Sequence, residues 1–283
     1  MITDCQTNFL YLADSLNKKY PTFFKELERV LHQCYIPFEL LTPTKDVWAV
    51  DFMPVQIEKN EFKQFVYNPD YLRGCIKGTK SISDVDAISK EIKIVPQKND
   101  ILLDGGNVVR VKDKVIMTDK VFTENPVIPQ KDLIKRLENI FKVDRIIFVP
   151  THPADFTGHA DGIVRFLNNN TVLINGSSEI VTKKEKEFQL RLRLALHNAG
   201  LEYIEIPSNT ERNKNNKQAN GEYLNFLQME NVLIIPTFGI KEDDIVVKKF
   251  EALFLGLTIA TVISNEIANE GGILNCISWN ILK

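Results

Sequence analysis

Cysteine is scarce in this sequence, and long apolar stretches are absent. The 283 residues include four cysteines, at positions 5, 34, 75 and 276, and no CxxC pair, which indicates free thiols in a reducing compartment rather than a disulfide frame or a zinc knuckle. The most apolar stretch, Ala252 to Ile263, has 12 residues, whereas a bilayer-spanning helix needs about 20. The N-terminal residues lack the basic and apolar regions of a secretory signal. We therefore expect a cytoplasmic protein with no membrane partner.

An excess of either charge is also missing. The chain has 35 basic and 37 acidic residues, a formal charge of −2 and no long Lys/Arg run, so there is no electrostatic reason to expect a nucleic-acid partner. Hydrophobic residues make up 44% and charged residues 25%, as in ordinary globular proteins. We expect one domain over residues 1–283. The sequence leaves open whether the protein forms a homo-oligomer.

One supersecondary pattern recurs along the chain. Two β-rich runs separated by a short polar turn, the signal of a β-hairpin, begin at Met53, Asn107, Gly162 and Tyr223, and a fifth run begins at Ile273 and is cut short by the chain end. Amphipathic helices followed by a further apolar strand are predicted between the hairpins, with helical spacing over residues 23–34, 133–141, 188–199 and 247–256 and more weakly over 85–92. Gly200 is expected to end the third of these helices.

Five such units without a long linker predict an α/β protein in which small sheets surround an axis, because one unit alone cannot bury its apolar face. The alternative is a doubly wound parallel sheet. That fold predicts parallel βα alternation and a glycine-rich phosphate turn, and the hairpins and the absence of GxGxxG count against it.

Residues whose side chains can act as acids, bases, nucleophiles or metal ligands lie at the starts of the hairpins. Asp51, Asp104, and the pair His159 and Asp161 each precede a hairpin, and Cys276 lies in the fifth unit. Each has a simpler interpretation: the aspartates as turn formers, His159 as a loop residue, Cys276 as an inert buried thiol. The HxD pair could also bind a metal, but the remaining histidines, at positions 32, 152 and 197, offer no good ligand spacing.

The combination is more informative than its parts. Carboxylates can hold a guanidinium in bidentate fashion while a thiolate adds to its central carbon. The bound cation also favours the thiolate over the thiol, relative to a free cysteine pKa of about 8.5.

Four motifs in order resemble those of the agmatine deiminase and bacterial-type peptidyl-arginine deiminase family. They are WAVD followed by MPVQ from Trp48, DGGN from Asp104, GHADGIVRF from Gly158 and GGILNCI from Gly271. The resemblance implies a five-bladed α/β propeller, or pentein, of pseudo-fivefold ββαβ units, and a deiminase that needs no metal or organic cofactor. It implies Cys276 as the nucleophile, His159 as the general acid and base, and Asp51 and Asp161 as residues that grip the guanidinium of a small-molecule substrate.

The sequence departs from the family pattern at three positions. Val50 stands where many relatives have Arg, Asp104 where the family often has Glu, and Asn275 where agmatine deiminases commonly have His. Asp104 and Trp48 are further candidates for substrate binding, with core packing as the alternative for Trp48. The polar segment 209–222 is either a solvated loop or a lid in which Arg212, Lys214 or Lys217 meets a carboxylate.

Other functions remain open at this stage. An amidinotransferase or a (methyl)arginine hydrolase would use the same residues, with an amine instead of water resolving the intermediate in the transferase. A non-catalytic binding protein on the same scaffold and a metal-dependent hydrolase that uses His159 and Asp161 are alternatives of other classes.

Overall fold

The computed structural model describes residues 1–73, 76–176, 182–210, 213–215 and 217–283. Within these ranges fifteen strands form five three-stranded sheets. The strands are β1 (Phe9–Ala13), β2 (Phe38–Leu41), β3 (Val55–Glu58), β4 (Glu61–Val66), β5 (Gln97–Leu102), β6 (Val109–Val111), β7 (Lys114–Thr118), β8 (Arg145–Val149), β9 (Val164–Phe166), β10 (Thr171–Asn175), β11 (Glu202–Ile206), β12 (Leu227–Met229), β13 (Val232–Thr237), β14 (Thr258–Ile263) and β15 (Ser278–Ile281).

Every sheet repeats one topology. An antiparallel pair supplies the first two strands, and a third strand pairs in parallel with the second, in the orders β3-β4-β5, β6-β7-β8, β9-β10-β11, β12-β13-β14 and β15-β1-β2. In the middle strand β10 the three central residues Val172, Leu173 and Ile174 are buried. A parallel pair needs a long crossover connection, which explains why a helical segment separates the second and third strands.

Helices fill these crossovers and the turns between sheets. They are α1 (Asp14–Lys19), α2 (Pro21–Gln33), α3 (Ala49–Phe52), α4 (Ile76–Lys80), α5 (Val85–Glu91), α6 (Lys120–Glu124), α7 (Gln130–Phe141), α8 (Lys183–Asn198), α9 (Lys241–Leu253), α10 (Asn265–Ala268) and α11 (Leu274–Ile277), with 3-10 turns at Asp4–Gln6, Asp70–Leu72 and Gly105–Asn107. Helices α2, α5, α7, α8 and α9 confirm the five helical predictions. Gly200 follows α8 with φ of 73°, the left-handed conformation expected of a glycine at a helix end.

The fifth unit is completed by the other end of the chain. The sequence predicted a fifth β-rich run that begins at Ile273 and is cut short by the chain end. Strand β15 lies in this run and pairs with β1, with Tyr11 opposite Trp279. The sequence did not indicate this partner, because β1 lies at the N-terminus and no local turn signal joins the two strands. Closing one sheet with both chain ends completes the fifth sheet of the ring.

The first strands of the sheets face a narrow central cavity. Its lining includes Val55, Arg110, Arg165 and Asn280, which come from four different sheets. Asp4 accepts hydrogen bonds from Arg110 and Arg165 at 3.1 and 2.9 Å, so one carboxylate joins two sheets across this cavity. Among the described residues, no helix has both the length and the apolar character needed to cross a membrane.

Candidate active site

The turn before the first strand of each sheet contributes to one buried cluster. Each of the five turns supplies at least one side chain, and all of them are less than 10% exposed: Asp51 before β3, Asp104 before β6, His159 and Asp161 before β9, Asn225 before β12 and Cys276 before β15. Equivalent positions of the repeat therefore meet near the axis. The structure brings together all the residues that the sequence predicted for the catalytic set.

Asn225 fixes the position of the Cys276 thiol. The Asn225 side-chain Nδ2 lies 3.1 Å from Cys276 Sγ, and its Oδ1 accepts hydrogen bonds from the main-chain N–H groups of Cys276 at 3.2 Å and Ile273 at 3.1 Å. The main-chain carbonyl of Asn225 accepts a further bond from the Asn275 N–H at 3.1 Å. One asparagine therefore holds the turn that carries the thiol.

Asp161 lies on the other side of the thiol. Its Oδ2 is 3.5 Å from Cys276 Sγ and accepts hydrogen bonds from the side-chain amides of Asn275 at 2.7 Å and Asn225 at 3.3 Å. The Asp161 main-chain N–H donates to the Gly106 carbonyl at 3.1 Å. Asn275, one of the three residues that depart from the family pattern, therefore orients the carboxylate nearest to the thiol.

His159 lies between two carboxylates. Its Nε2 is 2.9 Å from Asp104 Oδ2, and its Nδ1 is 3.5 Å from Asp51 Oδ1. The Gly106 N–H donates to the same Asp51 oxygen at 3.0 Å. Contacts at both ring nitrogens fix the imidazole plane, and carboxylates at both nitrogens favour the imidazolium.

The Gly105-Gly106 pair is required by this crowding. A Cβ on Gly106 would lie 2.6 Å from both Asp51 Oδ1 and His159 Nδ1, and a Cβ on Gly105 would lie 1.9 Å from the Val50 carbonyl oxygen. Two turns can approach this closely only where side chains are absent. The glycines that indicated an ordinary turn therefore also allow Asp51 and His159 to meet.

Burial and neighbouring charges shift the proton affinities of the cluster. Burial lowers the pKa of His159, but Asp51, Asp104 and Asp161 outweigh it and raise that pKa to about 10. Burial, with Asp104 and Asp161 nearby, raises the pKa of Asp51 to about 7 despite the opposing effect of His159. Burial, Asp161 and Asp51 raise the pKa of the Cys276 thiol well above its usual value. At neutral pH His159 is therefore charged and Cys276 is a neutral thiol.

Aromatic rings cover the thiol turn. Trp48, which is half-buried, packs against Gly272, where a Cβ would lie 2.5 Å from a Trp48 ring carbon and 2.9 Å from Cys276 Cβ. A Cβ on Gly271 would similarly meet the Phe156 ring at 3.0 Å. Trp48 therefore lies beside the thiol and also packs on the hydrophobic core, so both of its sequence interpretations are compatible with its position.

The remaining sequence predictions have mixed outcomes. In segment 209–222, Lys214 and Lys217 are exposed, and Arg212 lies outside the described residues, as does Cys75. Cys5 and Cys34 are free thiols, the first exposed and the second partly buried. Among the described residues, no group of three or more His, Cys, Asp and Glu side chains is arranged to hold a metal ion.

Sequence reasoning missed three residues around the cluster: Asn225, Lys120 and Glu222. Asn225 occupies the same place in the fourth unit that Asp51 and Asp104 occupy in theirs, so the repeat itself could have identified it. Glu222 is half-buried, and burial together with Asp155 and Asp161 raises its pKa to about 8. A Cβ on Gly162, next to Asp161, would lie 3.8 Å from Glu222 Oε2. No local signal distinguishes Lys120 or Glu222 from surface residues.

A ring of five ββαβ units with a buried thiol, imidazole and carboxylates defines an α/β propeller with a thiol-dependent candidate active site. Residues 5–281 match the family model of the Porphyromonas-type peptidyl-arginine deiminases, and the chain belongs to that family.

Known proteins share this architecture. The agmatine deiminase of C. jejuni has a TM-score of 0.81 at 19% identity, with 100% of this chain and 95% of that chain covered. The agmatine deiminase of Enterococcus faecalis has a TM-score of 0.74 at 14% identity, covering 98% and 94%. These likenesses show that the fold is the pentein fold.

One relative found by sequence comparison aligns with only part of this chain. A protein of Mycoplasma capricolum subsp. capricolum, provisionally named an agmatine deiminase, is 22% identical over 226 residues, which are 68% of this chain and 62% of the relative. The chain therefore matches less than two thirds of the length of that protein.

Proposed function

We propose that the protein is a hydrolase that deiminates a guanidino compound through a covalent Cys276 intermediate. The observation that carries the proposal is the placement of a thiol, an imidazolium and three carboxylates within one buried cluster. Membership of the deiminase family supports it.

The geometry gives each residue a role. Asp51 and Asp161 bind the guanidinium nitrogens, and Asp161 Oδ2, 3.5 Å from Sγ, is an acceptor close to the thiol proton. The thiol proton passes to Asp161 as the Cys276 sulfur forms a bond to the central carbon, His159 donates its proton to one nitrogen, and ammonia leaves with rupture of the carbon–nitrogen bond. The product of this half-reaction is a thiouronium on Cys276.

Hydrolysis returns the enzyme to its starting state. His159, now neutral, accepts a proton from water, and the hydroxide adds to the thiouronium carbon. The carbon–sulfur bond breaks as the hydroxyl proton of the adduct passes to the sulfur, and Asp161 releases its proton to solvent. The products are a ureido compound and the free thiol. Asp104, whose carboxylate accepts from His159 Nε2, holds the imidazole through both half-reactions.

Agmatine is the first substrate to test. Asp155 and Asp161 both lie near Glu222, and their negative charges would repel the α-carboxylate of free arginine and favour a guanidino compound with a second positive charge. The names of the relatives agree with this choice. With agmatine the ureido product is N-carbamoylputrescine, available for polyamine biosynthesis, and dependence on a free thiol suits the cytoplasm.

Ammonia release tests the proposal. The native protein and Cys276→Ala are incubated with agmatine, free arginine, N-methylated arginines and an arginine peptide. We expect release from agmatine above the other compounds and none from the variant. A correctly folded native protein that releases no ammonia from any guanidine would overturn the proposal, and a product that forms only when an amine is added would indicate amidino transfer.

A further inference from the structure

Lys120 is a buried cation behind the catalytic histidine. It begins α6, directly after β7, and its side chain is 7% exposed. Its Nζ lies 3.1 Å from Asp70 Oδ1, 3.5 Å from Glu124 Oε1 and 3.8 Å from Asp104 Oδ2. Burial lowers the pKa of Lys120, but the carboxylates of Glu124, Asp104 and Asp70 outweigh it and raise that pKa above its ordinary value. The ammonium is therefore charged throughout the physiological range.

One oxygen atom connects this ammonium to the imidazole. Asp104 Oδ2, 3.8 Å from Lys120 Nζ, is also the atom 2.9 Å from His159 Nε2. Asp104 is 2% exposed, so water does not compensate its charge. A carboxylate buried between two cations is attracted by both, so its position depends on both.

Lys120 also contacts the segment that leads into His159. Its Nζ donates a hydrogen bond to the Thr157 carbonyl at 2.5 Å, and a Cβ on Gly158 would lie 3.0 Å from its Cδ. Gly158 has φ of 67°, a conformation that glycine adopts without strain. The same side chain therefore contacts both the backbone before His159 and the carboxylate that binds the His159 ring.

We propose that Lys120 is a positioning residue for the acid–base histidine: its ammonium attracts the Asp104 carboxylate and holds Asp104 Oδ2 on Nε2 of His159. Its effect on turnover depends on the function proposed above, whereas its effect on the His159 ring does not.

The other groups that face this pair of cations define the electrostatic background. Ionisable carboxyl groups come from five places in the fold: Asp51, Asp70, Asp104, Glu124 and Asp161. The hydroxyls of Tyr67 and Tyr71 also face Asp104, and burial raises the pKa of each so far that both stay neutral. Removing one cation from this background makes every proton in the cluster harder to remove, so all titrations move to higher pH.

The first test is the pH profile of kcat/KM for Lys120→Met. We expect kcat/KM at the native optimum to fall by about tenfold or more, and both limbs of the profile to move to higher pH by about one unit.

Lys114→Met is the matched control: Lys114 Nζ contacts Asp113 at 3.1 Å and the Asn169 carbonyl at 3.2 Å, at the opposite end of β7. Its profile is expected to coincide with that of the native protein. A Lys120→Met profile that loses amplitude while both limbs stay in place would overturn the proposal, because that is the signature of a merely structural residue.

Glu124→Gln gives the opposite sign and serves where Lys120→Met does not fold. Removing this carboxylate, 3.5 Å from the ammonium, is expected to move the limbs to lower pH. The double variant Lys120→Met/Glu124→Gln removes one charge of each sign, so its limbs are expected to return toward the native positions. Limbs that do not respond to Glu124→Gln would also contradict the proposal.

A measurement without turnover separates this proposal from the proposed function. The protein contains four histidines, and isotope labelling of their imidazole rings makes all four visible by NMR. The signal that is lost in His159→Gln belongs to His159. Over a pH titration the His159 ring of Lys120→Met is expected to lose its proton at higher pH than the ring of the native protein, by about one unit. Equal protonation in both proteins would refute the role of Lys120, even if the native protein proves inactive on every guanidine.

Discussion

The thiol turn is held by a single amide, so Asn225→Ala is expected to damage both stability and turnover. The substitution leaves the main-chain N–H groups of Ile273 and Cys276 without their acceptor, and it removes the amide that contacts Sγ and Asp161. Each buried donor left unsatisfied costs about 1–3 kcal/mol, so we expect the free energy of unfolding to fall by about 2–6 kcal/mol. Typical proteins have only about 5–15 kcal/mol in total, so the loss is large.

The assay combines urea unfolding with ammonia release from agmatine. We expect kcat to fall by about 100-fold or more because the thiol is no longer positioned. Asn280→Ala is the matched control: Asn280 is buried on β15, where it donates to Thr7 Oγ1 at 2.8 Å and the Gln228 carbonyl at 3.2 Å, and it does not touch the thiol. Its loss is expected to lower stability by about 1–2 kcal/mol and to leave kcat unchanged. Equal behaviour of the two alanine variants would refute the role given to Asn225.

Two further predictions follow from the shifted proton affinities. Because burial, Asp161 and Asp51 raise the pKa of Cys276, iodoacetamide is expected to alkylate Cys276 more slowly than the exposed Cys5 at pH 7 and progressively faster as the pH rises. Peptide mass spectrometry measures both alkylation rates. Rapid alkylation of Cys276 at pH 7 would contradict the prediction. For Glu222 the folded pKa of about 8 lies above the ordinary value of 4.5, so its ionisation destabilises the fold as the pH rises through that interval. Glu222→Gln is therefore expected to raise the free energy of unfolding by about 1–2 kcal/mol more at pH 9 than at pH 4, allowing for the partial exposure of the side chain. Urea unfolding of the native protein and the variant measures this change. A change in the free energy of unfolding that is the same at both pH values would refute the prediction.

Much of the fold could be predicted from the sequence because hairpin and helix signals are local. The polar turns between β-rich runs and the 3.6-residue spacing of apolar side chains each depend on a few neighbouring residues. The pairing of β15 with β1 could not be predicted this way, since it joins residues such as Tyr11 and Trp279 from opposite ends of the chain. Only the requirement that the ring close would have indicated it.

The residues of the candidate site also fall into two groups: those that the sequence could indicate and those that only the fold reveals. Residues in motifs, such as Cys276 and His159, could be chosen because their types and order indicate a chemistry. Lys120 could not, because a lysine in a short amphipathic segment looks like a surface residue until the fold surrounds it with Asp104 and Glu124. Asp104 is a sequence candidate for substrate binding, and its contact with His159 Nε2 became visible only in the structure.

The charges of the cluster suggest how binding and activation are connected. Three buried carboxylates, Asp51, Asp104 and Asp161, face two cations, His159 and Lys120, while the thiol of Cys276 remains protonated at neutral pH. A further cation beside Asp51 and Asp161 would offset the carboxylates that now hold the pKa of the thiol high, so the thiolate would become easier to form. A guanidinium bound there supplies that charge and also presents the carbon that the sulfur attacks. A neutral urea offers the same shape without the charge, so the proposed ureido product would leave the thiol protonated, and the nucleophile would form only when substrate is bound.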